Sequence, residues 1–353
     1  MSEKSYRIGE YEPITRRGFL RLSGVLGLGL AACPIGASLA EASKFDRQLY
    51  KVSKSCPEMG TLVSMTVLND SKDQAYEAID LSFEEIARLS KLMSRYDSGT
   101  PVSQLNRDGF LKDVPPELSF VVRKSMGYHE ISNGLFDITV KPLVDMYKQL
   151  SQSSQNISVQ EEKIRHLLEL VDAGGIIVRE DSIAFRKHGM GITLDGIAKG
   201  YIVDKAIGVM RRKGIQHALI NAGGDIRTVG DKGGKGPWRI AIEDPLKKHK
   251  YPDIIGITNS SIATSGNYEV FFDDQKILHH IVNPKTGLSP LINASVSVQA
   301  STAMEADALS TTLFTLDPAA GIHLIQSLPH CEALVVTRNN VKLKSTGWQG
   351  MRI

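Results

Sequence analysis

A chain of 353 residues with 42% hydrophobic and 23% charged residues has ordinary globular composition, enough for one large domain or two modest ones. The formal net charge of +3, with no basic run interleaved with aromatics, is too weak to argue for nucleic acid, and no nucleic-acid partner is expected. Cys56 and Cys331 lie in no CxxC or Cys/His pattern, which argues against a thiolate metal site and for buried or incidental thiols.

The first forty residues read as an export signal. Arg16-Arg17 precede a mild apolar, glycine-rich stretch from Leu22 to Ala32, the pattern of a twin-arginine signal, which is read by a receptor and is not an anchor. Roughly 15–20 apolar residues are marginal beside the ~20 that a spanning helix needs. Ser38-Leu39-Ala40 and Ala40-Glu41-Ala42 both offer a peptidase small residues, and Leu30-Ala31-Ala32-Cys33 resembles a lipobox, which would give a lipid anchor at Cys33. The expected organisation is a signal over residues 1–40 and a domain over 45–353, in an exported, periplasmic protein that is either soluble or an inner-membrane lipoprotein.

Further along, Thr61 to Val67 reads as a strand. Ile79, Phe83, Ile86, Leu89 and Met93 recur at helical spacing, with Glu84 four residues before Arg88. Amphipathic helices are predicted over Val159 to Val171 and over Asp204 to Lys213, the second ending before Gly214. Trp238 to Ile242, Val296 to Val298 and Ala333 to Thr337 are strand-like, Asp307 to Leu316 is helical, and Val341 to Ile353 reads as a closing strand and tail. The result is an α+β chain, with helices inserted between strands of a mixed sheet.

Several strings exceed what packing requires. Gly196 to Gly200 runs into a helix whose first N–H groups would favour an anion, and Lys199 adds positive charge, so a phosphorylated ligand is indicated. The spacing fits neither GxGxxG nor a P-loop. Asn221-Ala222-Gly223-Gly224 reads equally as a tight turn or a ligand loop. Asp307 and Thr311, four apart, would share one helix face as hard oxygen donors suited to Mg²⁺, or else serve as a helix-start carboxylate and a back-bonding hydroxyl. His280 precedes a Pro284–Gly287 turn, and neighbouring His279 leaves open which of the two has a role.

The order of these strings resembles the ApbE family of FAD:protein FMN transferases from about Met59 to Leu316: Ser94-Arg95-Tyr96, Ser103-Gln104-Leu105-Asn106, Leu135-Phe136-Asp137, Leu194-Asp195-Gly196-Ile197-Ala198-Lys199-Gly200, Asn221-Ala222-Gly223-Gly224-Asp225, Thr264-Ser265-Gly266, His280-Ile281-Val282-Asn283-Pro284-Lys285-Thr286-Gly287 and Ala306-Asp307-Ala308-Leu309-Ser310-Thr311. The resemblance implies a T-fold-like single domain with a deep FAD cleft. It places Met59, Tyr96, Leu135, Phe136, Asp137 and Lys199 against FAD and Thr264 and Ser265 in the same cleft. It makes Gly196, Asp307 and Thr311 ligands of Mg²⁺ and sets His280 near the reaction centre. The family pattern Asp-Leu-Gly-Ala-Ile-Ala-Lys-Gly puts Thr193 at the Asp position and Asp195 at the first Gly, so either Thr193 or Asp195 takes that FAD contact, Thr193 being preferred. This variant looks more like the branch associated with nitrous oxide reduction and electron-transport maturation. The implied reaction is transfer of FMN from FAD to a Thr or Ser hydroxyl of an acceptor, with release of AMP. Acceptors would be flavoprotein subunits of exported or membrane electron-transfer systems. FAD hydrolysis and non-catalytic flavin binding remain the alternatives.

Overall fold

Alternation builds the first sheet strands. In β3 (Thr61–Asn69), Val63, Met65 and Val67 are buried on one face while Leu68 is buried on the other. The computed structural model describes residues 39–153, 161–245, 251–267 and 278–350. Residues 1–38, with the twin-arginine pair and Cys33, lie outside that set, as do positions 268–277 and 351–353. Among the described residues the first strand is β1 (Leu39–Lys44), which pairs along β2 (Tyr50–Glu58).

The main sheet continues with β7 (His217–Ala222), β8 (Asp225–Val229), β11 (Ser261–Gly266), β12 (Asn293–Ala300), β13 (Glu332–Thr337) and β14 (Lys342–Lys344). Its nine strands stand in the order β1-β2-β3-β7-β8-β11-β12-β13-β14. Among the described residues every pairing is antiparallel, which corrects the mixed sheet expected from the sequence. The helical segments are excursions from which the chain returns beside the strand it left, running the opposite way, so no βαβ crossover arises.

Eight helices are described: α1 (Lys72–Met93), α2 (Pro101–Asp108), α3 (Pro116–Ile131), α4 (Lys141–Ser153), α5 (Glu161–Leu168), α6 (Ala198–Arg212), α7 (Ala303–Phe314) and α8 (Pro318–Gln326). The helical spacing read from Ile79 to Met93 is the buried stripe of α1, whose start is fixed by Ser71 accepting from the Gln74 N–H. Arg88 pairs with Glu85 and with Glu117 of α3, not with Glu84. α6 starts at Ala198, where the Gly196–Gly200 run leads into it, six residues before the amphipathic stretch expected at Asp204, because Ala198, Gly200 and Tyr201 are buried and give no amphipathic signal.

Residue parity divides the core. Val63, Met65 and Val67 face α1 and α6, and Ala263, Val296, Val298, Ala333 and Val335 face α7. Leu68, Ile262, Leu334 and Val336 point the other way, where a hairpin of β9 (Trp238–Ala241) and β10 (Ile254–Ile257) covers them with Trp238, Ile240, Ile255 and Ile257. Burial on both faces explains why Ala333 to Thr337 reads as an unbroken apolar run. A small sheet, ordered β4 (Phe110–Lys112), β6 (Ser182–Phe185), β5 (Ile176–Val178), lies within the β3–β7 excursion. Cys56 and Cys331 are both buried, in different clusters.

Candidate active site

Two tight turns meet at one end of the sheet. Met59-Gly60 joins β2 to β3 and Gly223-Gly224 joins β7 to β8, all four residues having positive φ, as two-residue hairpins of this hand require. A Cβ on Gly223 would lie 2.4 Å from the Thr61 hydroxyl, so only glycine lets the two turns pack together. Asn221 caps its own turn by accepting from the Gly224 N–H at 3.0 Å. The Asn221–Gly224 string is thus a tight turn. Met59 is a non-glycine residue at φ 52° and packs partly against the main core.

That turn delivers Asp225, whose carboxylate lies 3.5 Å from the Lys199 ammonium; the Asp225 side chain is 2% exposed and that of Lys199 25%. Lys199 stands in the first turn of α6, and there the chain makes a reciprocal clasp with α7. Asp307 of α7 accepts from the Gly200 N–H at 3.0 Å. Asp204 of α6 accepts from the Ala303 and Met304 N–H groups that open α7, each at 2.9 Å. Each helix thereby satisfies orphan N–H groups of the other with a carboxylate, the charge a helix start favours. The anion at the start of α6 is therefore first of all the protein's own Asp307. Arg227, itself bonded to the Ser301 carbonyl and to Ser261, lies 3.6 Å from Asp204. Burial weighs on both partners: it pushes the Asp204 carboxyl up against the pull of its two N–H donors and Arg227, and pushes the Arg227 guanidinium down.

Asp307 and Thr311 lie one turn apart on α7, as the sequence spacing indicated. A Cβ on Gly196 would sit 3.1 Å from the Thr311 hydroxyl oxygen, which places the loop before α6 directly against α7. Ser265 at the end of β11 reaches both, its hydroxyl 2.8 Å from that of Ser310 and 3.3 Å from that of Thr311. Thr264 bonds across the ladder to Ser297 at 2.8 Å. Gly196, Ser265, Asp307 and Thr311 thus meet at one place. Among the described residues no three His, Cys, Asp or Glu side chains gather as a metal site. A cation there would draw on one carboxylate plus hydroxyl, backbone and ligand oxygens, a donor set whose chemistry suits a hard divalent ion.

The loop before α6 is clamped from a second side. Asn106 of α2 exchanges two hydrogen bonds with Ile192, at 2.9 and 2.6 Å, and the buried Thr193 donates its N–H to the Ile138 carbonyl at 2.7 Å. Asp195 accepts from the Tyr96 hydroxyl at 3.0 Å and from Arg95 Nε at 3.2 Å. Burial acts against the Arg95 charge, but Asp195, Tyr96 and Asp145 outweigh it and hold the guanidinium above its ordinary range.

The remaining sequence candidates fall in different environments. Phe136 is a core side chain, edge-on to Tyr128 at 6.0 Å, and Leu135 is half-buried. The Asp137 carboxylate accepts from the Thr139 N–H and hydroxyl, from the Ala173 N–H at 3.0 Å, and lies 3.1 Å from His129. This makes Asp137 a buried junction between α3, the start of α4 and the segment before β5. The two adjacent histidines separate clearly. His279 is 0% exposed, its Nε2 2.9 Å from the Pro290 carbonyl and its ring edge-on to Phe314 of α7 at 5.5 Å, whereas His280 is half-buried. Sequence reasoning gave Asp204 and Asp145 no role at the site and named Gly200 and Arg95 only as members of longer strings. The close pairing of Gly200 with Ala303 and of Asp204 with α7 joins positions about a hundred residues apart, and no local spacing encodes it.

The ApbE family model matches residues 59–335. The FAD:protein FMN transferase of Haemophilus influenzae is 25% identical over 329 residues, covering 88% of this chain and 93% of that protein. The protein of the same name in Vibrio cholerae is 27% identical over 302 residues, covering 82% and 89%. Among solved structures, the ApbE protein of Thermotoga maritima is similar with a TM-score of 0.74 at 27% identity, covering 85% of this chain and 97% of that one. The flavin transferase ApbE from Vibrio cholerae shares the fold with a TM-score of 0.70 at 24% identity.

Proposed function

The chain belongs to the ApbE family, and from that premise we propose that it transfers FMN from FAD to a Thr or Ser hydroxyl of an acceptor protein, releasing AMP. The observation that carries the reading is the meeting of Gly196, Ser265, Asp307 and Thr311 beside Lys199 at the start of α6. Cationic and hydroxylic groups at a helix start suit the pyrophosphate of FAD. Asp307, Thr311 and the Gly196 carbonyl would hold Mg²⁺, which when bound supplies charge neutralisation to phosphate oxygens.

In this chain's own residues, the mechanism begins with Lys199. The buried Asp225 holds its ammonium, so the cation is oriented without water having to reorganise. The acceptor hydroxyl oxygen attacks the phosphorus on the FMN side, the bridging P–O bond to AMP breaks, and the acceptor keeps FMN as a phosphoester. His280 receives the hydroxyl proton. The buried His279, fixed by Pro290 and Phe314, sets the backbone from which His280 projects. Positioning and charge compensation supply most of the rate, as in other phosphoryl transfers. Met59, Tyr96, Leu135, Phe136, Asp137, Thr193, Thr264 and Ser265 form or support the walls of the FAD cleft. Acceptors are flavoprotein subunits of electron-transfer systems, met after export through the twin-arginine route in the periplasm, with Cys33 as a lipid anchor if it is the processed residue.

The test is incubation of purified protein with FAD and Mg²⁺, with and without an unmodified acceptor carrying a flavinylation motif with a free hydroxyl, read by in-gel flavin fluorescence and AMP release. Fluorescent acceptor plus AMP, both lost with EDTA, is the expected result. AMP without labelling would make the enzyme an FAD hydrolase, and bound FAD without either product would leave a carrier. His280→Ala should lower transfer at saturating FAD by about 10²-fold or more; an unchanged rate would remove its role.

A further inference from the structure

We propose that Asp195 is a positioning residue that fixes Tyr96 at the rim of the cleft, so that the Tyr96 ring contributes to affinity for an aromatic ring of FAD. The identity of the ligand rests on the transferase reading; the positioning rests on geometry.

Asp195 immediately precedes Gly196, where a Cβ would lie 3.1 Å from the Thr311 hydroxyl oxygen, so Asp195 is one residue from the centre of the site. One oxygen, Oδ2, takes both the Tyr96 hydroxyl at 3.0 Å and Arg95 Nε at 3.2 Å. The other end of the Arg95 guanidinium reaches Asp145 of α4 at 2.9 Å, and Asp145 in turn holds Lys141 at 2.5 Å. Lys141, Asp145, Arg95 and Asp195 form a chain of alternating charge that ties α4 and the loop after α1 to the loop before α6. Arg95 is nearly enclosed, its side chain 7% exposed.

Tyr96 stands at the end of that chain in an unusual state. The Arg95 guanidinium carbon is 4.7 Å from its ring centroid and the Lys148 ammonium 5.6 Å, and its hydroxyl is bonded, yet the residue remains 55% exposed. An ordinary surface tyrosine keeps its rotamer freedom, and an ordinary core tyrosine buries its ring. Here one hydrogen bond and two cations hold the ring while the residue stays more than half exposed, which is how a protein lowers the ordering cost of a stacking contact before the ligand arrives. A carboxylate accepting a phenolic O–H is a charge-assisted bond and strong enough to select one ring orientation.

The experiment measures FAD binding directly, by flavin fluorescence quenching with full-length protein in Mg²⁺ and without acceptor. Asp195→Ala and Tyr96→Phe should each weaken FAD about 3- to 10-fold, the range that freeing one ordered side chain allows. The double variant should be no weaker than the poorer single, because both changes break the same bond. KM for FAD should rise in parallel and kcat fall by less. FMN and AMP titrated separately tell which ring is stacked: the affinity that follows the variants identifies it. Asp195→Asn, which can still accept from Tyr96, should recover most of the loss. A network that only braces α4 would lower Tm in Asp195→Ala and leave FAD affinity within twofold in all variants; that result, or additive singles, overturns the proposal. Wild-type protein that binds no FAD would instead sink the transferase reading beneath it.

Discussion

Gly200→Ala tests the contact on which the site is assembled. In a helix interior this substitution ordinarily stabilises by about 1 kcal/mol, because glycine pays more backbone entropy. At Gly200 a Cβ would lie 2.3 Å from the Ala303 carbonyl oxygen, 2.5 Å from its carbon and 2.7 Å from the Met304 nitrogen, all main-chain atoms at the start of α7. Ordinary contact at about 3.5 Å requires the helices to part by roughly 1 Å. Overpacking of that kind costs about 1–3 kcal/mol. Parting the helices also stretches the bonds from Gly200 to Asp307 and from Ala303 and Met304 to Asp204, each worth roughly 1.5–3 kcal/mol when made to a charged group. The clash outweighs the propensity gain, and a net loss of about 3 kcal/mol should lower Tm by about 6–10 °C. Gly208→Ala, on the same helix, is the matched control: its nearest neighbour is the end of the flexible Arg212 side chain at 3.4 Å, so it should be neutral or gain up to about 1 kcal/mol. Thermal and denaturant unfolding of the pair decide the matter. A Gly200→Ala protein as stable as Gly208→Ala would refute the reasoning.

Three further outcomes follow from the packing. Asp204→Ala leaves two helix-opening N–H groups and Arg227 uncompensated, and should cost about 3–5 kcal/mol by denaturant unfolding. Phe136→Ala should cost about 3–5 kcal/mol as a core cavity, whatever its effect on FAD binding, since the side chain is buried in the main cluster. The His129 pKa is raised, chiefly by its hydrogen bond to Asp137. A raised histidine stabilises fully below the free value near ~6.5 and loses that contribution as pH climbs through the folded value. The Tm difference between wild type and His129→Gln should accordingly be largest near about pH 5.5 and shrink toward about pH 8.5. A difference that is constant across that range would deny the charged pair.

The sequence is most legible where chemistry is local. The buried stripe of α1, the turn at Asn221–Gly224 and the one-turn spacing of Asp307 and Thr311 all follow from periodicity or turn chemistry, because each is written within a few residues. The parity of β3, β11 and β13 was hidden in part: strands covered on both faces lose the alternation that would tell one face from the other. The start of α6 was marked by the Gly196–Gly200 run but not by amphipathic periodicity, because Ala198 and Gly200 are small for the sake of α7, not for their own helix. Asp195 was visible only as an oddity; that it holds Tyr96 and Arg95 depends on residues about a hundred positions earlier. The residue types and local pattern left His279 and His280 undivided and only the family motif favoured His280; their difference in burial is set by Pro290 and Phe314, which lie beyond the local sequence.

The strand order carries a consequence for how the chain reaches this state. Most neighbours in the main sheet are joined by short or moderate connections, but β3 leaves at Asn69 and its partner β7 returns at His217, with α1 to α6 and the small sheet between them. As an equilibrium matter so long a loop is inexpensive, since each doubling of its length adds only about 0.6 kcal/mol. As a kinetic matter it is the most demanding closure in the molecule, because pairing so remote in sequence slows the search for the native topology. Zipping of β3 onto β7 should therefore come late, after α1 and α6 have found each other. Until it does, the turn carrying Met59 and the turn delivering Asp225 remain apart, and the meeting of those two turns should be among the last things the folding chain acquires.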